Sequence, residues 1–306
     1  MAQSRYLPWL LYLYLIFAWG SSFFLIKQGL TAFTPFQIAG LRILIAGLVM
    51  LPFIVGRAKE VKPHEWRYIL LVGLIGNAIP AFLFPYAETV LNSATAGILN
   101  TLSPLFVLLL GILFFGLQTN VSQRLGMLVG FIGAIVLILG SGQEIDFWSN
   151  AFYSLLVVIA TIGYGLSTNI MKRYLNTTPS LLATGYALFA MAIPYSIYLV
   201  GFSGIDQAFR EAGDTVWIAF GSVAILAALG TAFALVCFYR LVQITGPIFS
   251  ASVTYVIPIV ALMWGLLDGE KIYPTQYAGV ALILGGVLLT NRKAKPRLTP
   301  YPKSKG

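Results

Sequence analysis

Ten apolar runs follow one another along this chain, and no other feature restricts its fold as much. They lie near Pro8–Ile26, Pro35–Val55, Tyr68–Tyr86, Ala94–Phe115, Leu125–Gly140, Phe152–Met171, Ser180–Val200, Val216–Tyr239, Pro247–Leu267 and Gln276–Leu289. A helix crosses the hydrocarbon core with about 20 apolar residues at about 1.5 Å rise each. Inside lipid every backbone N–H and C=O must be paired within the protein, which leaves helices or closed barrels. Barrel strands would be short and alternate apolar with polar residues, whereas these runs are continuous. Composition agrees: 58% of residues are hydrophobic and 9% charged, against about 25% charged in soluble domains. The reading is an all-α integral membrane protein. Its first run is too long for a signal peptide, has no small-x-small cleavage site, and is read as a retained helix.

Charge gives the orientation. Of 19 Lys and Arg, 15 fall on one side: Arg5; Arg57, Lys59, Lys62 and Arg67; Arg124; Lys172 and Arg173; Arg240; and Arg292, Lys293, Lys295, Arg297, Lys303 and Lys305. Lys27, Arg210 and Lys271 fall on the other side, and Arg42 lies within a run. Basic loops stay in the cytoplasm, so both termini are expected there, in a bacterial cytoplasmic (inner) membrane crossed an even number of times. The net charge of +9 is spread over short loops and a tail, which argues for a bilayer and against nucleic acid as partner. One histidine, His64, and one cysteine, Cys237, provide neither a disulfide framework nor metal-ligand spacing. No metal and no cofactor are expected.

The chain repeats itself. Trp19-Gly20-Ser21-Ser22 and Lys27 recur as Tyr164-Gly165-Leu166-Ser167 and Lys172, an offset of 145. Thr34-Pro35 recurs as Thr178-Pro179, an offset of 144. Gly116, Gln123, Gly126 and Gly133 recur as Gly269, Gln276, Gly279 and Gly286, an offset of 153. Pro104 and Pro258 sit centrally in the fourth and ninth runs. Residues 1–145 and 146–306 therefore read as two five-helix repeats. Five is odd, so the second repeat enters the membrane from the opposite face. Such inverted repeats are the architecture of alternating access around a midplane site.

In order and duplication these segments resemble the EamA branch of the drug/metabolite transporter superfamily. The segments are Trp19 to Ser22, Thr34-Pro35 with Arg42, Ser93-Ala94 with Pro104, and Gly269-Glu270-Lys271 with Pro274, Gln276 and Gly279. The resemblance covers roughly residues 8–291; the chain departs from it where Gly116-Leu117 lacks the carboxylate of Gly269-Glu270. It implies export of amino acids or related small metabolites through a central cavity, with no enzymatic activity. Fold alone does not choose the cargo.

The candidate substrate-binding residues follow from depth and spacing. Trp19 with Ser22, and Tyr164 with Ser167, lie three apart and share a helix face, giving two related aromatic walls with hydroxyls beside them. Packing through small residues is the competing reading. Asn100 and Thr254 stand four residues before Pro104 and Pro258, with Ser103 and Tyr255 adjacent. Each proline is expected to interrupt its helix and to free the carbonyl four residues back, and such mid-depth groups serve polar recognition or merely shape a kink. Asn77, Tyr86 and Tyr239 are further polar candidates. Pro104 and Pro258 are assigned structural or gating roles, as is Arg42. Facing lipid at the centre would cost Arg42 at least ~2.5 kcal/mol, so it faces inward. It either neutralises a substrate carboxylate or clamps helix-end carbonyls or Glu88, and the clamp is preferred.

Efflux of organic cations is the alternative transport reading, but it calls for a cavity acid that is not evident. An intramembrane enzyme would need paired acids, a Ser–His pair or metal ligands at depth, and His64 is in a loop. The expected partners are a small-molecule substrate and the lipid bilayer, the chain being monomer or homodimer. Gly126-x-x-x-Gly130 suits close helix packing, within the chain or between subunits.

Overall fold

The computed structural model describes residues 6–91, 93–139, 151–267 and 273–290, and within them the protein is helical throughout, without strands. Ten helical segments are numbered in chain order. The first repeat holds α1 (Leu7–Gly29), α2 (Pro35–Ile54), α3 (Pro63–Glu88), α4 (Ser93–Asn100 and Ser103–Phe115) and α5 (Val121–Leu139). The second holds α6 (Ala151–Tyr174), α7 (Ser180–Gly201), α8 (Thr215–Thr245), α9 (Pro247–Ala251 and Val253–Leu267) and α10 (Pro274–Thr290). Six of them, α1, α2, α3, α6, α7 and α8, are long and apolar enough to cross a membrane as single stretches. The other four are shorter or broken. Large apolar side chains cover the outside, among them Phe114 at 70% and Val200 at 89% exposure. In water that surface would aggregate; in hydrocarbon it is the solvated face.

The helices pair in a pseudo-symmetric pattern: α2 packs on α7, α5 on α10, α1 on α8 and α9, and α6 on α3 and α4. Each repeat thus sends its first helix between the third and fourth helices of the other. Lipid gives helices no hydrophobic reason to associate, so close approach through small residues has to supply the contact. The α5–α10 seam shows this. A methyl on Gly286 would lie 2.5 Å from Gly130 N, and one on Gly126 would lie 2.6 Å from Thr290 N. Gly126-x-x-x-Gly130 is therefore used within the chain.

Thr34-Pro35 opens α2 through a capping box: Thr34 Oγ1 accepts from Gln37 N at 3.3 Å, and Gln37 Oε1 accepts from Thr34 N at 2.8 Å. Its repeat behaves differently, since α7 starts at Ser180 and Thr178 Oγ1 makes no hydrogen bond among the described residues. Between α2 and α3, the exposed Arg57 guanidinium hydrogen-bonds Glu60 and holds its carboxyl below the usual carboxylate range. Exposed pairs of this kind add little to stability.

The two central prolines do not act alike. The break in α4 falls at Thr101-Leu102, just before Pro104, and the Asn100 carbonyl freed by that proline is taken by Ser103 Oγ at 2.8 Å. The break in α9 falls at Ser252, whose Oγ donates to Phe249 O at 2.7 Å, while Pro258 lies inside continuous helix. The expected interruption at Pro258 is thus displaced six residues upstream.

Candidate solute cavity

Where α1, α3, α4, α6, α8 and α9 converge, they enclose a cavity with about 1020 Å³ of atom-free space, its open part included. Arg42 and Ile43 of α2 complete the wall. The lining is built from matched sets.

The first set is aromatic. Trp19 of α1 packs on Phe238 of α8 with ring centroids 5.2 Å apart, and Tyr164 of α6 stacks on Phe84 of α3 at 6.0 Å. Phe84 and Phe238 stand at offset 154, as do Asn100 and Thr254. Two related aromatic pairs, one from each repeat combination, thus wall the cavity.

The second set is a pair of π-turns. Helices α3 and α8 each widen to i→i+5 hydrogen bonding, over Leu74–Ala78 and Ala228–Phe233. Asn77 Nδ2 donates to Val72 O at 3.1 Å, and Thr231 Oγ1 donates to Leu226 O at 3.0 Å. Each side chain donates to the carbonyl five residues back, across the widened turn that the extra residue creates. The preceding glycines, Gly76 and Gly230, lie at close approaches, with no room for a side chain at Gly76 and little at Gly230. A methyl on Gly76 would meet Ser167 Cβ at 2.5 Å, and one on Gly230 would meet Ser22 Oγ at 3.3 Å. The Ser22 and Ser167 positions read from the repeat therefore each face a π-turn of the opposite repeat.

The predicted residues divide as follows. Trp19, Ser22, Asn77, Asn100, Ser103, Tyr164, Ser167, Thr254 and Arg42 all line the cavity, as does Tyr239. Several of their donors are already engaged: Trp19 Nε1 with Gly230 O at 3.0 Å, Ser22 Oγ with Ala18 O at 3.0 Å, and Thr254 Oγ1 with Ala251 O at 2.9 Å. Trp19 thus presents its ring to the cavity while its N–H joins α1 to α8. Tyr86, Tyr255, Pro104 and Pro258 do not line it. Tyr86 belongs to a ring ladder with Phe36, Phe82 and Tyr153. Tyr255 is wholly buried, and its ring sits where a methyl on Gly130 would fall.

Sequence reasoning missed Phe84, Phe238, Thr231 and the paired Gly76 and Gly230. Extending the repeat search to offset 154 would have found every pair, because Asn77 and Thr231 share that offset too. Arg42 Nε donates to Thr231 Oγ1 at 2.7 Å. Among the described residues, no carbonyl and no Glu88 oxygen takes a hydrogen bond from Arg42; its bond to Thr231 ties α2 to α8, and Glu88 attracts the guanidinium through space.

Comparison with known proteins agrees with this architecture. The EamA-like transporter family matches residues 7–139 and again residues 151–292. The chain belongs to the EamA-like transporter family. A protein of Archaeoglobus fulgidus described as an uncharacterized transporter is 24% identical over 286 residues, covering 93% of this chain and 99% of the relative. The uncharacterized inner membrane transporter YedA of Escherichia coli K12 is 26% identical over 302 residues, covering 94% and 92%. A crystal structure at 20% identity superposes with a TM-score of 0.71 over 94% of this chain and 98% of the other. That likeness carries the fold. This EamA-like protein is accordingly a multi-pass membrane transporter.

Proposed function

We propose that this transporter exports amino acids or related small amphipathic metabolites across a bacterial cytoplasmic membrane by alternating access. The observation that carries this reading is the central cavity, whose aromatic pairs and π-turns come in equivalent sets from the two repeats. A five-helix repeat is odd, so its two copies cross the membrane in opposite senses. Equivalent linings then let one site open by turns to either face. Aromatic walls suit an apolar body, and the Asn, Ser and Thr groups suit a polar head. The excess of basic loops supports cytoplasmic termini.

The test is counterflow in proteoliposomes holding the purified full-length protein, with a panel of labelled amino acids, nucleosides and organic cations. Saturable exchange of amino acids or similar solutes, absent from protein-free vesicles, is the expected result. Exchange confined to organic cations would replace this reading with drug efflux.

A further inference from the structure

Resting on the transport reading, the structure identifies the chemistry of the cargo's polar end. Among the described residues lining the cavity, Arg42 is the one with a formal charge, and no carboxylate lines it with Arg42. Its Nε is held by Thr231 Oγ1 at 2.7 Å. Thr231 spends its own proton on Leu226 O, so its hydroxyl can only accept from Arg42, and the guanidinium is fixed at one corner. Among the described residues the hydrogen bond of Arg42 is the one to Thr231, while Glu88 attracts the guanidinium through space. The ion pairs among those residues are Arg57–Glu60 and Arg210–Asp206, both on the surface. Glu88 interacts with Arg42 at longer range, and among the described residues both its oxygens are without a hydrogen-bond partner.

A guanidinium keeps its charge at any physiological pH and offers paired N–H groups whose spacing matches the two oxygens of a carboxylate. Held at Nε in the cavity wall, Arg42 can offer its remaining N–H groups to an anion. The surrounding walls, Trp19 with Phe238 and Tyr164 with Phe84, leave room for an apolar body. We propose that Arg42 is the substrate-carboxylate site of the cavity, positioned by Thr231, and that the cargo carries one carboxylate on a largely apolar frame. The arrangement disfavours organic cations, which would meet the positive charge of Arg42 in a site of low dielectric.

The experiment compares four probes of nearly equal size in proteoliposomes: phenylalanine, phenylpropionate, phenylalaninamide and phenylethylamine. Wild-type protein is expected to bind the two carboxylates about tenfold or more tightly than the amide and the amine, the scale of a hydrogen bond to a charged group. Arg42→Gln should abolish that preference, weakening the two carboxylates and, with the repelling charge gone, strengthening the amide and the amine, and Arg42→Lys should retain part of it. Thr231→Val should weaken carboxylate binding alone, with Thr231→Ser restoring it, a pattern that a packing role would not give. The inference is overturned if wild type handles amide and amine as well as carboxylate, or if Arg42→Gln keeps the preference. Should the variants fail to fold, the wild-type comparison decides by itself. Equal exchange of all four probes would leave the transport reading standing and remove only the role of Arg42. If the wider panel and all four probes stay put, transport and this inference fall together.

Discussion

Thr231 holds in α8 the place that Asn77 holds in α3: each donates from its side chain to the carbonyl five residues back, across a π-turn. The match persists although one residue is an amide and the other a hydroxyl. What the two share is a short polar side chain able to reach Val72 O or Leu226 O. A π-turn pushes one residue out of the helical register, and here both displaced segments meet the first helix of the opposite repeat. Ser167 approaches Gly76, and Ser22 approaches Gly230.

Replacing Asn77 by Ala is expected to lower stability by about 1 kcal/mol, the ordinary worth of one buried hydrogen bond. Thr231→Val should cost more, because Arg42 loses its anchor as well. Thermal unfolding of the purified variants in detergent measures both. Equal effects would mean that Arg42 draws no support from Thr231.

Trp19→Phe removes the indole N–H that reaches Gly230 O at 3.0 Å. The expected result is a stability loss of about 1 kcal/mol with solute affinity changed little, since the ring face against Phe238 is largely kept. Trp19→Leu should weaken solute binding further by removing that face. Unfolding curves and counterflow half-saturation, measured side by side, separate the two effects.

Gly286→Val forces a branched side chain into the α5–α10 seam, where even a methyl would lie 2.5 Å from Gly130 N. Overpacking of this kind costs about 1–3 kcal/mol or more, so yield of folded protein should fall sharply. Leu128→Val on the exposed face of α5, where the side chain is 50% exposed, should leave yield and exchange near wild type. Fluorescence-detected size exclusion compares them.

Both termini are expected in the cytoplasm, from the split of 15 basic residues on one side and 3 on the other. Reporter fusions at Gly306 and at Glu144 should then report opposite compartments. A shared compartment would contradict five crossings per repeat.

Exchange is expected to persist at equal pH on both sides of the vesicle, because no carboxylate accompanies Arg42 among the described cavity residues. Glu88→Gln should leave this exchange intact. A strict need for a pH gradient, lost in Glu88→Gln, would instead make Glu88 a proton carrier, despite its place at the end of α3.

Much of this protein could be read from its residues in order, because lipid makes the rules local. A helix in hydrocarbon must close its own hydrogen bonds and span a set thickness, so run length alone locates α1 to α10 with ends off by at most about six residues, the largest misses being the start of α3 and the end of α8. Duplication is also a property of order, and it pointed to Trp19, Tyr164, Asn100 and Thr254 before any packing was known. What the sequence left open was how each helix is turned about its axis and what it meets, since the deciding neighbours lie far away along the chain. Trp19 and Gly230 are 211 positions apart, and Arg42 and Thr231 are 189 apart. Tyr255 sits one residue from Thr254, yet that step turns it about 100° around a helix of 3.6 residues per turn, away from the cavity and against Gly130. Tyr86 is similarly drawn into a ring ladder by Phe82 and Tyr153. The break expected at Pro258 fell at Ser252 because a proline removes one donor, whereas where a helix yields depends on what else binds its carbonyls. Whether a polar side chain at mid-membrane depth is free for solute or already engaged is settled only by three-dimensional packing.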